Sequence, residues 1–327
     1  MFKNIIRYLT VIAGLTFIFL IVTKINCVTT DKYPDLDEIS IKVDSSICQV
    51  DSLDDALHNT IVYRKGVNSD LFKSCNYALF VDDTTKYVYA SKNAHRRMYP
   101  ASMTKFVTAS VVCDKIEAGE IGLDDMVTIT QRYDLTYEGV EPCQLTPGCK
   151  ISVKDLLYGL LIQSNNYYAI ILAEYVAGDI PSFCDLMNSK VQNIGATNSH
   201  FANPHGLDDP DHYTTAYDIY LITKEAYNHE IIRKIDTFEK YSYSYYNSNG
   251  ELIAADAEST NFFMLGLAEL PANYQIEIWK TGTTSGAGNC LTMYLTKDNH
   301  TYIVIASCDD SKATLYDAII KLLCMVG

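Results

Sequence analysis

The chain has 327 residues, 48% of them hydrophobic and 20% charged, which suits a folded domain with a sizeable core. Its formal net charge is -14. With no basic patch, nucleic acid is excluded as the expected partner, while the charge by itself says nothing about substrate.

In chain order, Leu9 to Val22 is a largely apolar run preceded by Lys3 and Arg7 and followed by Lys24. This reads as a secretory signal or signal-anchor over residues 1–28, with its start kept in the cytoplasm. No Ala-x-Ala cleavage site follows, which favours an uncleaved anchor and hence a membrane partner for the N-terminal segment. Residues 29–57 are polar and acidic and read as a stalk or variable lead-in, with a short alternating stretch from Ile39 to Val43. A folded body is expected over 58–327, with a mostly helical subdomain at about 120–235.

Within that body, Tyr77 to Val81 and Tyr87 to Ala90 read as a hairpin around Asp82 to Thr85. Tyr99-Pro100-Ala101-Ser102-Met103-Thr104-Lys105 then feeds a helix that starts near Ser102 and runs to about Glu117, before Gly119. Phe106, Val107, Ala109, Val111 and Val112 mark it as a buried central helix. Ser152 with Asp155 is a capping-box-like start for a helix through Leu161. Ser164-Asn165-Asn166 interrupts the apolar pattern, which resumes from Ala169 to Val176. A further helix opens at Pro181 and ends before Gly195. Asn198 to Asp211 is a loop, and Thr214-Thr215 starts the next helix. Tyr241, Tyr243 and Tyr245 alternate as on one face of a strand, which predicts cross-strand packing. Ile276 to Trp279, Leu291 to Leu295 and Thr301 to Ser307 read as strands, and Ala313 to Met325 as a final amphipathic helix. Early and late strands around intervening helices predict one mixed sheet with a helical insertion.

Ten cysteines are scattered without metal-ligand spacing. Cys143/Cys149 and Cys290/Cys308 are two possible disulfides, with buried thiols as the alternative for each. Asp208, Asp209, Asp211 and His212 match no recognised ligand spacing, so no metal or cofactor is expected.

A hydroxyl at a helix start and an amine one turn later on the same face can form a serine nucleophile with its own base. Ser-x-x-Lys alone is a weak signal. Here Ser102/Lys105, Ser164-Asn165-Asn166 and Lys280-Thr281-Gly282 follow in the order that penicillin-binding proteins and class A β-lactamases use for acyl transfer. Over about Tyr77 to Leu323 the sequence resembles the serine-type D-alanyl-D-alanine carboxypeptidases, the low-molecular-mass penicillin-binding proteins of the DacA type. The resemblance is carried by those three motifs, by Asp155 to Leu161, by Asn203-Pro204-His205-Gly206-Leu207 and by His212 to Ala216.

The resemblance implies an α/β, β-lactamase/transpeptidase-like fold, an antiparallel sheet flanked by helices plus a mostly helical subdomain. It implies that Ser102 attacks the penultimate D-Ala carbonyl of a peptidoglycan stem peptide, with β-lactams as covalent inhibitors. Lys105 would be the general base, and Ser164 would return a proton to the leaving amine. Asn166 would hold the peptide. Lys280, Thr281 and Thr283 would bind the terminal carboxylate, with Gly282 keeping the strand open. The Ser102 and Thr283 N–H groups would form the oxyanion hole. Asn165 stands where relatives usually carry a smaller residue, which leaves the shape of that loop open. His205 is expected to be structural. Many relatives continue into a β-rich domain and a C-terminal amphipathic helix, and the end of this chain reads as lacking both. The alternatives are a class A-like β-lactamase, for which no auxiliary Glu is evident, and a non-enzymatic peptidoglycan- or penicillin-binding module.

Overall fold

The computed structural model describes residues 62–63, 75–308 and 311–326. The apolar run at 9–22 and the lead-in at 29–57 lie outside the described residues. No helix among the described residues is long and apolar enough to cross a membrane.

The chain enters through β1 (Val62–Tyr63), β2 (Cys75–Asp82) and β3 (Tyr87–Lys92). A 3-10 turn at Ala101–Met103 leads into α1 (Thr104–Glu117). Then follow β4 (Met126–Thr128), β5 (Lys150–Ser152), α2 (Val153–Leu161), α3 (Asn166–Ala177), α4 (Ile180–Asn193), α5 (Ala216–Asn228) and α6 (Glu230–Ile235). The last elements are β6 (Lys240–Tyr246), β7 (Leu252–Glu258), β8 (Gln275–Thr284), β9 (Gly288–Lys297), β10 (His300–Cys308) and α7 (Lys312–Leu323).

Six strands form the main sheet in the order β1-β3-β2-β10-β9-β8. All pairings in it are antiparallel except β1 with β3. Both faces are covered, and strand alternation divides the side chains between them. Leu79, Val81, Ile303 and Ile305 join the large core that contains α1 and α5. Phe80, Trp279, Met293 and Val304 pack with Leu315, Ile319 and Leu322 of α7. Helix α1 is buried from Thr104 through Cys113, so its sequence shows no polar stripe. Ser152 caps α2: its Oγ accepts from Asp155 N at 3.0 Å and donates to Asp155 Oδ2 at 2.6 Å.

A second sheet was not anticipated. Strands β4-β5-β6-β7 pair antiparallel, so the tyrosine strand β6 lies here rather than in the main sheet. Tyr243 and Tyr245 are buried, and the Tyr243 and Tyr168 hydroxyls meet at 2.6 Å. Neither of the two possible disulfides forms, and Cys143, Cys149 and Cys290 take the thiol alternative. Cys308 is bonded to Cys75 across β10 and β2, not to Cys290. Cys290 registers opposite Ser307, which places it one residue out of step with Cys308 and on the other face of the sheet. Its thiol donates to Ala287 O at 3.4 Å. Cys143 and Cys149 are not bridged.

Candidate active site

Three elements converge on Ser102. The first is the 3-10 turn that carries it. Ala101 sits at φ +46°, a left-handed conformation that alanine rarely adopts. A chain of buried hydrogen bonds holds it there. Ala202 N donates to His212 Nδ1 at 3.1 Å, which leaves the other ring nitrogen as the N–H. His212 Nε2 lies 2.8 Å from Thr104 Oγ1, which donates to Ala101 O at 2.8 Å. Burial lowers the pKa of His212 to about 4, so this tautomer stays neutral at working pH.

The second element is the edge strand β8. A Cβ on Gly282 would lie 2.8 Å from Ala101 Cβ and 2.9 Å from Ser102 N. The lack of a side chain therefore serves the close approach of the nucleophile turn to the strand. This close approach is a role of Gly282 beside the expected one of keeping the strand surface open to substrate.

The third element is the turn between α2 and α3. Ser164 adopts φ +63°, and Asn165 caps α3, its Oδ1 accepting from Tyr167 N at 3.0 Å and Tyr168 N at 3.3 Å. The asparagine thus supplies the cap that fixes the turn, and the unusual φ falls on Ser164. Asn166 is thereby aimed at Lys105.

Lys105 is fully buried. Its Nζ lies 2.9 Å from Ser102 Oγ, 2.7 Å from Asn166 Oδ1 and 2.6 Å from His205 O. The last two atoms can only accept. A neutral amine has two hydrogens for them and one lone pair left, which faces the Ser102 hydroxyl. Burial drives Lys105 toward that neutral form, and the nearby Lys280 adds to the effect, so its pKa lies well below the ordinary lysine range.

His205 contributes its carbonyl rather than its ring. The ring Nδ1 accepts from Leu207 N at 3.1 Å, and burial above all lowers its pKa to about 3. The acidic stretch beside it is dispersed. Asp208 accepts from Thr284 Oγ1 at 2.6 Å and Gly286 N at 2.8 Å, clasping the loop to the β8–β9 turn, while Asp209 accepts from Asp211 N.

Lys280 is also fully buried, and its Nζ donates to Thr281 O at 3.2 Å. Burial holds its pKa below the usual lysine range, and the Asp236 charge opposes that. Asp236 gave no signal in the sequence. It ends α6, and its Oδ2 accepts from Trp279 N at 2.9 Å while its main-chain oxygen accepts from Trp279 Nε1 at 3.0 Å. Thr281 Oγ1 lies 2.5 Å from Thr260 Oγ1, a second partner not foreseen, and exposed Thr283 donates to Asn289 Oδ1 at 3.4 Å. The structure thus joins Ser102, Lys105 and Asn166 by direct bonds and sets Gly282 against them. Lys280 acts on Lys105 through charge. Among the described residues Ser164 has no hydrogen bond to the other site residues.

This architecture is a transpeptidase-like fold. The Streptomyces K15 DD-transpeptidase structure superposes with a TM-score of 0.68 at 24% identity, covering 76% of this chain and 95% of that one, a likeness of fold. Penicillin binding protein 5 from Haemophilus influenzae matches with a TM-score of 0.66 at 27% identity, over 76% of this chain and 70% of that one. Residues 72–310 match the family model described as Peptidase_S11, D-alanyl-D-alanine carboxypeptidase, and the chain belongs to that family. Among curated relatives, D-alanyl-D-alanine carboxypeptidase DacF of Bacillus subtilis is 30% identical over 239 residues, 72% of this chain and 58% of that protein. The chain spans about half the length of the curated relatives it matches.

Proposed function

We propose that the chain is a serine-type D-Ala-D-Ala carboxypeptidase that trims peptidoglycan stem peptides through an acyl-enzyme on Ser102. The observation that carries this reading is the Lys105 amine, whose two acceptors leave its lone pair facing the Ser102 hydroxyl. Lys105 takes the hydroxyl proton as Oγ attacks the carbonyl of the penultimate D-Ala. The tetrahedral oxyanion lies against the N–H groups of Ser102 and Thr283. The C–N bond then breaks, the departing D-Ala amine takes up a proton by way of Ser164, and an ester to Oγ remains. Water hydrolyses the ester and restores the serine.

Among the described residues no strand lies on the outer side of edge strand β8, so an extended peptide can lie along it, with Lys280, Thr281 and Thr283 toward its terminal carboxylate. β-Lactams acylate the same Ser102. The apolar run at 9–22 holds the body at the outer face of the membrane.

Incubating the full chain with a stem pentapeptide is expected to release free D-alanine, and Ser102→Ala is expected to abolish release. Release by the variant at the wild-type rate overturns the reading.

Asp236 provides a second test. Asp236→Asn keeps an acceptor for Trp279 N but removes the charge that supports protonated Lys280. Cationic Lys280 is needed for the carboxylate, so binding fails as pH rises, and in the variant it fails at lower pH. At pH 8 the apparent KM for a carboxylate-terminated substrate is expected to rise about tenfold, the effect of a one-unit displacement of the alkaline limb. An alkaline limb at the wild-type position shows that Asp236 only holds Trp279.

A further inference from the structure

Remote from Ser102, three carboxylates and a histidine gather where the C-terminal end of α1 meets the end of α5. His229, at the α5–α6 junction, is only 3% exposed. Its Nδ1 lies 2.8 Å from Glu117 Oε1. A carboxylate can only accept, so Nδ1 carries a proton, and Nε2 is the ring nitrogen left to meet an ion. That nitrogen is buried and has no hydrogen-bond partner. It faces two further anions, Asp114 Oδ1 and Glu225 Oε1, each 3.8 Å away. This buried, unpartnered nitrogen and the two oxygens point to a common place where one cation could meet all three.

We propose that Asp114, Glu225 and His229 form a structural site for a divalent transition cation of the zinc type. One nitrogen from the α5–α6 junction and two carboxylate oxygens from α1 and α5 match the donor chemistry of such ions. Their ligand atoms all lie within 4.8 Å of one another. Ligands of a tetrahedral zinc are roughly 3.4 Å apart, so small side-chain adjustments complete the set. The bond from Glu117 to Nδ1 is the outer-shell contact that orients a metal-binding imidazole. Asp114 is about half exposed, which gives an ion a path in from solvent and leaves room for a water as fourth ligand.

Lys190 is the ion's competitor. Its Nζ donates to Asp114 Oδ1 at 3.0 Å, Asp114 Oδ2 at 2.8 Å and Glu225 Oε1 at 2.7 Å. A bound ion takes Asp114 Oδ1 and Glu225 Oε1, and Lys190 keeps Asp114 Oδ2. The ammonium satisfies the carboxylates but not the imidazole nitrogen, which is the reason to assign a second cation. Binding would clamp the nucleophile helix α1 to α5, and it does not depend on the reaction at Ser102.

The test uses metal-free full chain with Zn2+ followed by thermal unfolding and Co2+ followed by visible absorption. A hundredfold excess of zinc over its dissociation constant is expected to raise Tm by roughly 5 °C, and cobalt to give a tetrahedral-type absorption band. His229→Gln should remove both effects, and Glu117→Gln should weaken metal affinity at least about tenfold. Lys190→Met should bind metal more tightly than wild type, because the competing ammonium is gone, and this separates loss of a ligand from loss of fold. No zinc-dependent Tm change in either wild type or Lys190→Met overturns the proposal. So does metal affinity that is unchanged in His229→Gln.

Discussion

Replacing Lys105 with Met is expected to lower the rate at which a labelled penicillin acylates Ser102 by roughly 10³- to 10⁴-fold, with the protein still folded. Methionine is close to lysine in length and suits the buried site, so the helix should keep its packing. The cost is chemical, because no group remains to take the hydroxyl proton. Two carbonyl-type acceptors, Asn166 Oδ1 and His205 O, also lose their donor, which should cost about 1–3 kcal/mol for each that stays dry. Lys105→Arg separates base chemistry from positive charge. A guanidinium keeps the charge and the donors but cannot deprotonate at any working pH, so it should be as inactive as the methionine variant.

The pH profile gives the same distinction in the wild-type protein. Burial lowers the pKa of Lys105, and the active form is the deprotonated one. Acylation should therefore rise as pH climbs through that lowered value and be lost below it. The variants should show no such limb. An acylation rate for Lys105→Arg within tenfold of wild type would mean that the site needs a cation there and not a base.

What the sequence revealed, and what it hid, follows from the range of the interactions involved. Ser152 with Asp155 was readable because a cap is decided within about four residues, and the helix start near Ser102 because the Pro100 turn and the helix-compatible run adjoin it in the chain. In the main sheet, β2, β9 and β10 were readable from apolar runs buried on both faces, and β3 and β8 from shorter apolar stretches, while the two-residue β1 was not read. Strand β7, Leu252–Glu258, was missed because it carries alanines and acidic residues on a half-exposed sheet, where pairing with β6 rather than apolar content makes the strand. The cysteine pairing was missed for a related reason. Which face Cys308 points to depends on register, and its partner Cys75 lies 233 residues away.

The same division holds in the site. The Ser102–Lys105 spacing is local and appears as a motif. The charges that tune it are not local. Asp236 reaches Lys280 only because α6 ends beside β8, and nothing in the residues around Asp236 announces that. The left-handed turns at Ala101 and Ser164 were also invisible, since neither residue type advertises a positive φ. Ala101 directly precedes the nucleophile and Ser164 stands two residues before Asn166, which bonds Lys105, and at both places strain is sustained by surrounding contacts rather than by residue preference.

Gly206 is where those contacts are tightest, and Gly206→Ala should be the most damaging single-methyl addition in the site. Its φ is +93°, and a Cβ there would lie 2.0 Å from Ala101 O, 2.5 Å from Ala101 C and 2.9 Å from Thr104 Oγ1. Neither side is free to yield. Ala101 O is held by Thr104 Oγ1, and Gly206 N donates to Asn203 Oδ1 at 2.7 Å. Asn203 Nδ2 closes the same loop onto Leu207 O, and the neighbouring His205 O is bound to Lys105. Any movement that relieves the clash must shift the Ala101–Ser102 turn or draw the His205 carbonyl off the base.

The expected loss is about 3 kcal/mol or more, a fall in Tm of roughly 6–12 °C, together with at least about a hundredfold loss in acylation from misplacement of the nucleophile. Gly250→Ala is the matched control. That glycine has φ +80°, but a Cβ there would meet nothing within 4 Å, so it carries the backbone penalty without the collision. It should lose only about 1 kcal/mol and keep full acylation. Equal falls in Tm for the two variants would show that backbone conformation alone sets the cost. A larger fall for Gly206→Ala, accompanied by lost acylation, assigns it to the contact between this loop and the serine turn.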